Sequence, residues 1–122
     1  MAKTRTEALS GAALEYATCK AMNYPVMVSN GRVFIEGGEP RSTPGFTRHW
    51  AEAGPLVELY NITLNGWRNK KEGTILVRAE IDANERTFCI GPDHLTAICR
   101  VVCLYVLGSV VDIPDSLLRE AS

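Results

Sequence analysis

Cys19, Cys89, Cys99 and Cys103, with His49 and His94, are the only thiols and imidazoles in the sequence. They are therefore its candidate soft nucleophiles and metal ligands. Cys99 and Cys103 lie four apart and would share one face of a helix, an arrangement open to redox or metal chemistry. No CxxC pair occurs, and structural zinc needs close ligand pairs that this chain lacks. The plainer reading is two small apolar side chains turned into a core, where free cysteines are common. No metal and no cofactor is expected. Cys89 and His94, five apart across Gly91-Pro92, could act as nucleophile and base if the fold joined them. Otherwise they are a buried strand thiol and an exposed first-turn histidine. P-loop, GxGxxG, HExxH and GxSxG signatures are missing.

Binding chemistry has more material. Trp50 stands with Arg48, His49 and Glu52, and Trp and Arg are enriched at interface hot spots. The alternative is Trp50 as a core anchor for its loop. Arg100 sits in an otherwise apolar run and must snorkel, pair with a carboxylate or face a pocket. An ion pair with Glu58, Glu80 or Asp112 is favoured over an anion-binding role, because an unpaired buried charge is too costly to persist. Trp67 with Arg68, Lys70 and Lys71 is the only basic cluster beside an aromatic and could touch phosphates. A solvated turn is the simpler reading.

The chain has 122 residues, 46% apolar and 22% charged, enough for one domain over residues 1–122 with a real core. A formal net charge of −1 gives no basic field, which argues against nucleic acid and anionic membrane as partners. Glu7, Ser10, Gly11 and Glu15 interrupt any N-terminal signal segment. Arg100 interrupts the most apolar stretch, so no membrane span is expected and a cytoplasmic location is.

The spacing of apolar residues places these groups. Residues 1–8 read as a frayed lead. Ser10 is a candidate N-cap for a helix carrying Ala13, Leu14, Ala17 and Ala21 inward, with Glu15 and Lys20 toward water. Val26–Val28 and Val33–Ile35 flank Asn30-Gly31, a type I′ hairpin signal. Residues 37–55 read as a long loop, a common place for binding segments. Leu56–Leu64 reads as a strand, Asn65-Gly66 as a turn, and 67–73 as an exposed loop. Thr74–Ile81 alternates as a strand, with Ile75, Val77, Ala79 and Ile81 on one face. Thr87–Ile90 is a further short strand. Asp93 should cap a helix over His94–Leu107 that Gly108 ends, and Val110–Ile113 reads as an edge strand. The order predicts an α+β fold: an antiparallel sheet of four to five strands with an N-terminal helix and a buried C-terminal helix.

Four segments carry a family resemblance. Gly91-Pro92-Asp93-His94-Leu95-Thr96-Ala97-Ile98-Cys99-Arg100 and Leu107-Gly108-Ser109-Val110-Val111-Asp112-Ile113-Pro114-Asp115-Ser116-Leu117 form the ending. Leu9-Ser10-Gly11-Ala12-Ala13-Leu14-Glu15-Tyr16-Ala17 forms the opening helix, and Trp50-Ala51-Glu52-Ala53-Gly54-Pro55-Leu56-Val57-Glu58 the middle. In order and spacing the chain resembles NinX-like proteins of tailed bacteriophages. Ala53 stands where that family has Gly, and Phe46–His49 replace a Ser/Thr-rich approach to the Trp. The resemblance implies a small phage-encoded protein in the host cytoplasm, and no catalytic residues.

The expected function is therefore a non-enzymatic interaction module for a host or phage protein. A homodimer is an open assembly state, since C2 dimers are the commonest oligomers. The alternatives are a small-molecule-binding or hydrolytic domain with a pocket near Trp50 and Arg100, and a nucleic-acid accessory acting through Trp67–Lys71.

Overall fold

The longest helix follows from its two ends. Asp93 is extended, and its side chain accepts from the Thr96 amide at 2.7 Å, satisfying one of the free donors of the first turn. Gly108 takes φ 96°, where an L side chain would be strained, and stops the helix. Between them Ala97, Ile98, Cys99, Val101, Val102 and Cys103 are fully buried. Such a helix needs neighbours on most of its circumference.

The computed structural model describes residues 2–29, 31–35, 45–68, 71–82 and 86–118. In chain order they form β1 (Ala2–Arg5), a single 3-10 turn (Thr6–Ala8), α1 (Gly11–Ala21), β2 (Val26–Ser29), β3 (Arg32–Ile35), α2 (Trp50–Leu59), β4 (Ile62–Arg68), β5 (Ile75–Asp82), β6 (Arg86–Gly91), α3 (His94–Leu107), β7 (Val110–Ile113) and α4 (Asp115–Leu118). This is an α+β fold. Its described strands form three antiparallel groups, β1-β7, β2-β3 and β4-β5-β6, in place of one sheet of four to five strands. Val77, Ala79 and Ile81 of β5 and Cys89 of β6 turn inward onto α3. Helix α1 packs against another side of α3, and Leu14, Ala17 and Cys19 join the same core. At Gly91 an added Cβ would lie 2.8 Å from the Ala97 nitrogen, so only glycine lets β6 pass this close to α3.

Several local expectations are corrected. Residues 2–5 are not frayed: Ala2 pairs with Ile113 and Arg5 with Val110, and the Thr6 hydroxyl donates to the Gly108 carbonyl at 2.5 Å. The partner strand lies over a hundred residues away, so no local pattern announces it. Of the expected 37–55 loop, 37–44 fall outside the described residues, 45–49 form a turn, and Trp50 begins α2. Leu56–Leu59, expected in a strand, belong to α2. That helix contains Pro55, which removes one ladder hydrogen bond. Ala53 and Leu56, both buried, supply the packing that offsets it. Asn65-Gly66 is no turn but mid-strand, opposite Arg78 and Val77, and Trp67 belongs to the same strand. Glu15, expected in water, is buried.

Arg100 meets main chain where a carboxylate was expected. Its Nε donates to the Leu9 carbonyl at 2.7 Å and its Nη1 to the Ile90 carbonyl at 2.9 Å. Among the described residues its ion-pair partner is not Glu58, Glu80 or Asp112. One side chain thus joins α3, β6 and the segment leading into α1. Arg100→Met should lower unfolding free energy by about 2 kcal/mol, the scale of losing hydrogen bonds from a charged donor, one of them part-buried. Urea denaturation checks this, and an unchanged midpoint and slope would contradict the tie.

Candidate functional site

Two exposed surfaces and one buried polar cluster hold the chemistry-bearing residues. The buried cluster begins at Gly45. Phe46 packs its ring in the core, stacked on Tyr24 at 5.9 Å. This fixes the turn against α1, where Glu15 receives it. The Phe46 amide donates to Glu15 Oε2 at 2.9 Å, and the Thr47 amide and hydroxyl donate to Oε1 at 3.1 and 3.0 Å. The Gly45 amide donates to Glu52 Oε2, which brings a second carboxylate to the same turn. Burial pushes the Glu15 carboxyl above its ordinary range, the Thr47 and Phe46 hydrogen bonds oppose that rise, and the charge of Glu52 adds to it. The pair is a latch that closes the turn before α2.

Trp50 is on the surface, 51% exposed, and so does not anchor the loop; Phe46 does. Its ring lies 6.0 Å from that of His94, at the first turn of α3. His49 and Arg48 are exposed beside it, and His49 is the N-cap of α2 without a side-chain cap bond. Arg48, His49, Trp50 and Glu52 therefore share one corner of the molecule, joined by His94. Arg100 is not part of it. Six residues separate His94 from Arg100, about 240° round a helix, and the guanidinium is held by Leu9 and Ile90.

The thiols are buried. Desolvation raises Cys19 and Cys103 to about 12 and Cys89 to about 11, and it raises Cys99 as well. Cys103 lies 3.5 Å from the Thr18 hydroxyl, so its face of α3 is turned to α1. Cys89 points into the core from β6, while the ring contact of His94 is with Trp50. A neutral buried thiol is a poor nucleophile. Among the described residues no group of three or more His, Cys, Asp and Glu is placed to hold a metal ion.

The Trp67 cluster divides. Trp67 and Arg68 are consecutive in β4 and point to opposite faces. Lys70 lies outside the described residues, and Lys71 is exposed after the strand. Trp67 instead joins residues outside the expected basic cluster. On the sheet face away from α3, Trp67 pairs with Leu76, Arg78 lies between Asn65 and Ile90, and Glu80 lies opposite Phe88. Trp67 is 41%, Ile90 41% and Phe88 47% exposed. Arg78 stacks on Phe88, its guanidinium carbon 4.2 Å from the ring centroid, and sits 3.6 Å from Glu80. The signal was the period-two alternation of β5 and β6, which turns Phe88 and Ile90 outward as it turns Cys89 in.

No family model matches the chain, and no curated protein matches it. Among the described residues no helix is long and apolar enough to cross a membrane.

Two outcomes are expected here. Raised in the fold, the Glu15 pKa stabilises the protein below about 4.5, its ordinary value, and that contribution is lost as pH rises through the folded pKa. In urea unfolding across pH, wild type should lose stability relative to Glu15→Gln as pH increases. Wild type gaining stability relative to Glu15→Gln as pH rises would mean the hydrogen bonds to the carboxylate outweigh its burial. In native protein all four thiols should resist Ellman's reagent and react together on unfolding, whereas rapid labelling of any one would place it at the surface.

Proposed function

We propose that this chain works by binding another protein through the outer face of the β4-β5-β6 sheet. The observation that carries this is the grouping of Trp67, Phe88 and Ile90, each more than two-fifths exposed, on one face with Leu76 and Arg78. From these exposures and the usual surface of such side chains, the apolar patch spans roughly 300 Å², the size at which patches on monomers are often functional. Aromatic residues and Arg are the types enriched at the centres of protein interfaces, and Lys is depleted there. Arg78 is balanced on the same face by Glu80, so no positive field would draw a phosphate backbone. This favours a protein over a nucleic acid. The resemblance to NinX-like phage proteins points to a host or phage protein as the partner. The Trp50–His94 corner is a smaller second contact region.

The double variant Phe88→Ser/Ile90→Ser alters this face and leaves Cys89 and the core in place. In pulldowns from lysate of infected host cells, retention of the specific partner should fall at least tenfold, about 1.4 kcal/mol. Circular dichroism and unfolding midpoints establish that the variant is folded. Equal retention of every captured protein by wild type and variant would overturn the proposal.

A further inference from the structure

The same sheet has an open side. Among the described residues β4 has one ladder partner, β5, although it is seven residues long. An outer strand presents unpaired N–H and C=O groups, a template for another strand. Proteins usually blunt such edges with Lys, Pro, bulges or short length. From Ile62 to Trp67 β4 carries no charge and no proline, and its pairing to β5 runs without a break from Ile62 to Arg68. The opposite outer strand differs: on β6 Arg100 already takes the Ile90 carbonyl. The ribbons β1-β7 and β2-β3 offer strands of only four residues.

We propose that β4 is a homodimer interface, in which two copies pair antiparallel about a twofold axis at Asn65 to form a six-stranded sheet. The strand's own sequence argues for a second copy. With Asn65 opposite Asn65 on the axis, Thr63 faces Trp67, Leu64 faces Gly66 and Ile62 faces Arg68, and each of these three pairs occurs twice, as an isologous contact requires. No like charges meet. Thr63 with Trp67 is a β-branched–aromatic pair on the outer face, of the kind that stabilises antiparallel strands. The two Asn65 amides can donate to and accept from each other. Gly66 leaves room for Leu64 of the second copy, since an added Cβ would have no neighbour closer than 3.9 Å. Leu59, 64% exposed at the end of α2, stands three residues before the strand and adds apolar surface beside it. The dimer also sets the two outer faces side by side.

Asn65→Cys tests this directly, because the four native thiols are buried and the new one is exposed. Residues directly opposite in an antiparallel pair lie about 5 Å apart, within disulfide reach. Under mild oxidation most of the Asn65→Cys protein should run as a covalent dimer, and the exposed control Asp112→Cys should not. Sedimentation velocity on the unmodified chain should show a monomer–dimer equilibrium across the micromolar to millimolar range, abolished by Asn65→Lys. The proposal fails if the chain is monomeric throughout, or if it dimerises while Asn65→Cys links no better than Asp112→Cys. It does not rest on the partner-binding proposal. Loss of cross-linking leaves that one standing if Phe88→Ser/Ile90→Ser still releases the partner, and cross-linking with undiminished partner retention removes that one alone.

Discussion

The burial of α3 governs the molecule. A fourteen-residue helix that is apolar around most of its first three turns is unstable in water until it is covered. Sheet β4-β5-β6 covers one side, α1 another, and the 3-10 turn with α2 much of the rest. Its one strongly charged interior residue, Arg100, must then find acceptors inside the protein, and it finds carbonyls on two of the covering segments. Covering α3 therefore also positions β6 and the entry to α1. Gly91 completes the arrangement by letting strand backbone approach helix backbone.

Chemistry is displaced outward by the same constraint. Thiols that lie on α3, or that β6 and α1 turn toward it, become neutral core groups, and the carboxylate that faces a loop becomes a latch. The surface receives the alternate residues. Each inward residue of β5 and β6 has an outward neighbour, and here those neighbours include aromatic, branched and guanidinium-bearing side chains beside the carboxylate of Glu80. A three-stranded sheet with a helix on one face has a second face, and in this chain that face carries exposed apolar side chains around an Arg78–Glu80 pair.

What the sequence made legible was set by local physics. The bounds of α3 follow from Asp93 and Gly108, the β2-β3 hairpin from the turn between its branched residues, and the inner face of β5 from strict alternation. What it hid depended on distant partners. Polar Ala2–Arg5 is a strand only because β7 is there to pair with it. Asn65-Gly66 carries a turn signal, but an unbroken ladder to β5 overrides it and moves the hairpin connection beyond Arg68. Helical spacing put Glu15 on the polar side of α1, and the turn at 45–48 then covered it. Of the site residues, the Arg48–Glu52 group was visible as a cluster. The Trp67 face was not, because Phe88 and Ile90 reach it through strand order, which no local pattern records.

Amide hydrogen exchange tests the central role of α3 most directly. If the helix is the element on which all others rest, amides from Thr96 to Cys103 exchange only through global unfolding, with the protection free energy equal to the stability measured in urea. Exchange of those amides through a smaller opening, while β5 and α1 stay protected, would show that the fold stands without it.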